Sequence, residues 1–416
     1  MLSTCHISRA DAGPAEPRGP PDRLTRAPQN RVDQTAEDAK ADTIIQGWEN
    51  IIQAAVQRGA SDLHIKSGDV FRIRMNGQLI PFTKQRLTPD QTRAIALQLI
   101  PHERDRARVD EMQDYDCSWG LAGVGRFRVN ILRQRGSFMI VMRVIPIEIP
   151  SFDALGLPAS LKEIAGNERG LILVTGVTGS GKSSTQAAMI GFMNQTMRRH
   201  IVTLENPIEF LHRDVNSSIT QREVGLDTDS FRVGLRAALR QDPDVILIGE
   251  MRDTESIDIA LKSAETGHLV ISTVHTRDAA STISRLVAVF PPDEQAIVRM
   301  RLSEQLQAVV SQRLLPRKDG KGRVLACEVM VVTGVIRDCI VDPARTEEIR
   351  EHIAEGRTNY GMQTFDQCLM DLVQEDQVDF AVAKAAATNP SDFELKLNML
   401  AGRGSGGGGM GSAYGF

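Results

Sequence analysis

LILVTGVTGSGKSS, residues 171–184, starts as an unbroken apolar run, breaks into glycines and ends on a lysine followed by two serines. That order predicts a buried strand, a phosphate loop and the start of a helix. Gly176, Gly179, Gly181, Lys182 and Ser183 fill the pattern G-x-x-x-x-G-K-[ST]. The glycines let the backbone curl, so that N–H groups along Gly176, Val177, Thr178, Gly179, Ser180, Gly181, Lys182, Ser183 and Ser184 can face phosphate oxygens. Lys182 then sets a compact positive charge against the β- and γ-phosphates, the Ser183 hydroxyl reaches Mg²⁺, and the helix N-terminus adds its partial positive charge. The expectation is an ATP site.

Three more apolar runs follow, and each ends in polar residues. Residues 200–204 deliver Glu205, Asn206 and Glu209; residues 244–248 deliver Gly249, Glu250, Arg252 and Asp253; residues 268–274 deliver His275 and Thr276. Continuous apolarity marks strands covered on both faces, and in an open parallel α/β sheet ligands bind beyond the carboxyl ends of the strands. Glu250 is therefore expected to orient and deprotonate the attacking water, with an ion pair to Arg252 as its purely structural alternative. Gly249 occupies the place of an aspartate that would bind Mg²⁺, which leaves the metal to Ser183, water and Glu205 or Glu209. His268 and His275 bracket the last of these strands and are expected to sense the γ-phosphate.

Upstream, residues 1–41 are rich in Pro, Arg, Asp and Ala, a composition that predicts a disordered arm. Residues 42–148 predict a small α+β domain. Ile44, Ile45, Trp48, Ile51, Ile52, Ala55 and Val56 fall at helical spacing before Gly59, Asn76-Gly77 signals a hairpin, and Thr88-Pro89-Asp90-Gln91 opens a helix with a capping box. Its β-rich end carries Arg126, Arg128, Arg133 and Arg143, either a solvated face or a source of arginine fingers. Prolines and glycines make a linker of 149–158 before an ATPase core at 159–335, in which 311–332 reads as two strands around a basic, solvated turn. A helical subdomain at 336–400, with Ser391-x-x-Glu394 capping its last helix, and a glycine-rich flexible tail at 401–416 complete the chain.

The 416 residues carry a net charge of −4 and few aromatics, which speaks against a nucleic-acid partner and hence against a DNA-translocating motor. The five scattered cysteines read as buried thiols in a reducing compartment, not as a metal set. No apolar run approaches bilayer length and the N-terminus lacks an apolar signal core, so a cytoplasmic location is expected.

These residues resemble the secretion ATPases of type II secretion and type IV pili, and among them the pilus retraction ATPases. The matching segments are ASDLH at 60–64, GVTGSGKSS at 176–184, TLENPIEF at 203–210, LRQDPDVILIGEMRD at 239–253, AETGHLVISTVHTRDA at 264–279, SQRLLPR at 311–317 and GMQTFDQ at 361–367. In that family the middle segments form the Walker A, Asp, Walker B and His boxes, and a glycine before the Walker B glutamate is usual. The resemblance implies a RecA-like P-loop core and a PAS-like N-terminal domain. It also implies a homohexameric ring with ATP bound between the two domains, and arginines supplied by the N-terminal domain or by a neighbouring subunit. Retraction of a pilus would follow, through an inner-membrane platform protein and only indirectly through the pilin filament. An accessory retraction ATPase and an assembly or type II secretion ATPase are the alternatives. Two departures stand out: Asn206 where the Asp box has aspartate, and VIRDCI at 335–340 where retraction ATPases have A-I-R-N-L-I.

Overall fold

The computed structural model describes residues 47–146 and 148–404; the expected arm at 1–41, Ile44, Ile45 and residues 405–416 of the expected tail lie outside the described residues. A helix over 47–57 opens them and ends at Gly59, whose φ of 79° is the left-handed conformation that stops helices. Two sheets follow.

The first has six antiparallel strands, β1 (Asp62–Lys66), β2 (Arg72–Met75), β3 (Gln78–Pro81), β4 (Asp114–Leu121), β5 (Gly125–Gln134) and β6 (Ser137–Val144), in the order β3-β2-β1-β6-β5-β4. Asn76 and Gly77, with φ of 48° and 81°, turn β2 into β3 as the sequence predicts. Alternation sets the two faces. Leu63, Ile65, Ile73, Phe127, Val129, Ile131, Phe138, Ile140 and Met142 are buried on one face. The helix Pro89–Leu99, started by the Thr88–Gln91 capping box, contributes Ile95, Ala96 and Leu99 to that core.

The second sheet runs β13-β12-β7-β11-β10-β8-β9, built from β7 (Gly170–Gly176), β8 (His200–Glu205), β9 (Ser218–Glu223), β10 (Val245–Ile248), β11 (Leu269–Val274), β12 (Leu306–Pro316) and β13 (Arg323–Val331). All its pairings are parallel except that of β12 with β13. Strands β7, β10 and β11 are buried at every position, because helices cover both faces. Leu171 and Leu173 enter one core while Ile172 and Val174 enter the other. Strand β9 has no apolar signature; it is a polar edge strand, held by pairing to β8.

The C-terminal helices depart from expectation in two places. Within the subdomain expected to be helical at 336–400, a 3-10 turn, Pro343–Glu348, precedes the helix Ile349–Glu355. The last helix, Pro390–Gly404, starts earlier than the expected Ser391 cap, because the Asn389 side chain accepts from the backbone N–H groups of Ser391 (3.2 Å) and Asp392 (3.3 Å).

Candidate active site

Strand β7 delivers its loop into a cavity of about 890 Å³ at the carboxyl ends of β8, β10 and β11. A side chain at Gly176 (φ 142°) would lie 2.5 Å from Ser180 Oγ and 2.6 Å from the Gln312 carbonyl oxygen, so the loop can turn there only on glycine. Gly179 and Gly181, at φ 78° and 94°, complete the curl, and the helix Lys182–Thr196 follows at once. Strand β12 braces the loop through Thr175 Oγ1 to Ser311 Oγ (2.9 Å) and Gln312 Nε2 to Thr185 Oγ1 (2.6 Å). Lys182 is only 9% exposed and its Nζ donates to the carbonyls of Gly176 (2.9 Å) and Val177 (3.1 Å). Burial lowers its pKa, and the charges of Glu250 and Glu209 work the other way. An anionic phosphate entering the loop would supply the acceptor that these carbonyls now supply.

Glu250 follows β10 and lines the same cavity. Its Oε1 lies 2.6 Å from Arg252 Nε and 3.2 Å from His275 Nε2, so the ion pair with Arg252 exists beside the catalytic placement. Burial pushes the Glu250 carboxyl up, but Arg252, His275 and Lys182 together hold it below the ordinary glutamate value. It is a carboxylate at neutral pH, able to orient water and accept its proton. A Cβ on Gly249 would stand 3.3 Å from the Leu204 carbonyl oxygen, which gives a packing reason for glycine at that position.

Glu205 lines the cavity with its carboxylate already engaged by Thr203 Oγ1 (2.8 Å), Gln221 Nε2 (3.1 Å) and the Glu209 N–H (3.3 Å). Burial raises its pKa. Ser183, Glu209, Glu250 and Asn206 also border the space, an all-oxygen set suited to Mg²⁺.

His275 lines the cavity, but His268 does not belong with it. His268 precedes β11, at the opposite end of a strand roughly 20 Å long. There its Nδ1 lies 2.9 Å from the Ser263 carbonyl and 3.1 Å from Thr266 Oγ1, closing the end of the helix Thr254–Glu265. The γ-phosphate role expected for it is corrected to a structural one.

The four arginines of the first sheet also divide. Arg128 and Arg143 face the cavity as cross-strand partners on β5 and β6. In the same row Asp62 pairs with Arg143 on one side and Arg74 on the other, its Oδ1 2.9 Å from Arg143 Nε and its Oδ2 3.7 Å from Arg74 Nε. Arg126 instead bonds Glu223 (3.0 Å), and Arg133 lies over the Phe138 ring (3.9 Å) while donating to the Asp110 carbonyl (2.9 Å). Neither lines the cavity of its own chain.

The sequence did not single out Arg323 as a site residue. It was expected in a solvated basic turn, yet it opens β13, pairs in register with Pro316 beside the loop strand and lines the cavity. A charge in a glycine-rich turn carries no local sign of the strand that will place it.

A family model described as "Type II/IV secretion system protein" matches residues 37–393. The chain is 42% identical over 345 residues to the type IV pilus retraction ATPase PilT of Pseudomonas aeruginosa, covering 82% of this chain and 98% of that one. It is 40% identical over 356 residues to the type IV pilus ATPase PilU of the same organism, covering 85% and 91%. Among solved structures, the pilus retraction motor PilT with bound ADP superposes with a TM-score of 0.75 at 43% identity, over 83% of this chain and 98% of that one. The Legionella pneumophila ATPase DotB superposes at 0.71 with 26% identity, over 88% and 97%.

Proposed function

The chain belongs to the type II/IV secretion system protein family and is a nucleotide-binding, ATP-hydrolysing enzyme with a RecA-like fold, and from that premise we propose that it powers retraction of a type IV pilus. The observation that carries the reading is the convergence of Lys182, Glu250 and two arginines of the first sheet on one cavity, in a chain that aligns with the retraction motor over nearly that protein's whole length. In this reading the loop amides and Lys182 hold the phosphates, and Glu250 orients the attacking water. Arg128 and Arg143 meet charge developing on the γ-phosphoryl group. Mg²⁺, held at Ser183 and through water by Glu209 or Glu250, would neutralise charge on the β- and γ-oxygens when bound. Because the arginines sit on a separate sheet from the loop, loss of the γ-phosphate removes the anion they meet across the cavity, and a shift of one sheet against the other at that point is the force-producing step of this proposal.

The working unit is a homohexameric ring on the cytoplasmic side of the inner membrane, docked on the pilus platform protein. Among the described residues no helix is long and apolar enough to cross a membrane. Deleting the gene in its host is expected to leave cells that bear surface pili but do not twitch. Bald cells would point to assembly, and unchanged motility would reject the motor assignment. A second reading, an accessory retraction ATPase, draws on Val335, Asp338 and Cys339, the positions where 335–340 departs from the retraction motif. It predicts that the deletion weakens retraction force without abolishing twitching.

A further inference from the structure

Cys339 is one of the departures in the stretch at 335–340, and the fold gives it unexpected neighbours. Its side chain is 0% exposed near the end of the helix Gly334–Val341. The chain then turns through Pro343–Glu348 and returns as the helix Ile349–Glu355. That return sets Glu348 and His352, one helical turn apart, against the cysteine. One ligand atom from each of Cys339, Glu348 and His352 lies within 4.8 Å of the other two, and the Sγ–Oε2 distance is 4.0 Å.

We propose that Cys339, Glu348 and His352 form a binding site for a borderline-soft divalent cation, of which Zn²⁺ is the natural occupant. Thiolate, imidazole and carboxylate are the donors that select Zn²⁺ over Mg²⁺ or Ca²⁺. Tetrahedral coordination with bonds of about 2.0–2.3 Å needs donor separations of roughly 3.5 Å, so closure by about 1 Å completes the set. Glu348 and His352 can supply it from the surface side, since the His352 side chain is 26% exposed. The His352 Nδ1 lies 3.4 Å from Glu355 Oε2, an outer carboxylate of the kind that orients a ligating imidazole.

Arg345 pairs with Glu348 at 2.9 Å, an ion pair open enough to yield to coordination. The scaffold is fixed from beneath, because Arg299 Nη1 donates to the Ile340 carbonyl (2.8 Å) and to Thr346 Oγ1 (3.1 Å). On binding, the Sγ–H bond breaks, its proton passes to solvent and the sulfur bonds the metal. Three protein donors leave the fourth position to water. The metal would clasp the two helices across the turn.

Chelator-treated full-length protein titrated with Co²⁺ tests this, because thiolate-bound cobalt gives a charge-transfer band in the near ultraviolet. One equivalent per chain with that band is expected, and Zn²⁺ should displace it. Cys339→Ser should abolish the band, while Cys117→Ser and Cys368→Ser keep it. His352→Gln alters only the partly exposed ligand, so it leaves the core intact and should weaken binding at least tenfold. Zn²⁺ should also raise the melting temperature of the unaltered chain but not of His352→Gln. Absence of the band, a band that survives in Cys339→Ser, or an unchanged Co²⁺ affinity in His352→Gln overturns the proposal.

Discussion

In the proposed reading Lys182 holds phosphate and Glu250 takes the proton of the attacking water, so replacing each should lose a different step. Lys182→Ala takes away the point charge that the loop carbonyls hold ready for phosphate, and is expected to cut nucleotide binding and turnover at least a hundredfold. Glu250→Gln keeps the shape of the side chain but not its ability to take a proton. It should bind ATP as before and hydrolyse it at least a hundredfold more slowly, measured by equilibrium binding beside phosphate release. Glu328 offers a different test at this scale. Burial, the largest influence, pushes its carboxyl up to about 7, with Asp278 adding to the shift and the Ala279 N–H, Arg313 and Arg350 opposing it. The folded chain therefore binds this proton more tightly than the unfolded chain. The stability the group contributes is complete below the ordinary glutamate value of 4.5 and is lost as pH rises through about 7. Glu328→Gln can still accept from the Ala279 N–H and carries no ionisable group, so its unfolding free energy, read by denaturant titration, should gain on the parent between pH 5 and pH 8, by at most roughly 3 kcal/mol. An unchanged difference across that range would show that the carboxyl ionises without penalty.

At the scale of elements, the phosphate loop and the arginine row show how backbone geometry sets side-chain chemistry. A methyl group at Gly176 would collide with the Gln312 carbonyl of the neighbouring strand, and the φ of 142° suits only glycine. Gly176→Ala is expected to destabilise the chain by at least about 2 kcal/mol and to lose nucleotide affinity, read by denaturant unfolding with and without ATP. In the first sheet Asp62 holds Arg143 and approaches Arg74, so one aspartate aligns the charges of two neighbouring strands. Burial raises the Asp62 pKa, yet the Arg143 and Ser61 hydrogen bonds and the arginine charges bring it below the ordinary value. Asp62→Asn should therefore slow hydrolysis more than it weakens ATP binding, because Arg143 loses the partner that orients it.

At the scale of the whole molecule, the proposed ring raises the question whether sites are shared between neighbours or completed within a subunit. Arg128 and Arg143 line the cavity of their own chain, and Arg126 ties the first sheet to Glu223 of the second at 3.0 Å. Completion within one subunit is the expectation that follows. Rings assembled from Lys182→Ala and Arg143→Ala chains then contain no intact site, and their ATPase activity should stay at the level of either variant alone. Recovery on mixing would mean that the neighbouring subunit supplies the arginine.

The sequence by itself determined the glycine turn between β7 and its helix, the strands that end beside it, the place of Glu250 after β10 and the family, because glycine spacing and unbroken apolar runs are local patterns with few physical readings. It also fixed the Asn76-Gly77 hairpin and the Thr88 capping box, whose hydrogen bonds lie within a few residues. Only the tertiary structure decided which charged groups reach the cavity. Strand direction sent His268 to the far end of β11, cross-strand pairing kept Arg128 and Arg143 and diverted Arg126 and Arg133, and antiparallel pairing with β12 brought Arg323 in. The same holds for Cys339, Glu348 and His352, which meet only because a turn folds one helix back on another. Each such placement depends on contacts between residues distant in sequence, and no local pattern encodes them.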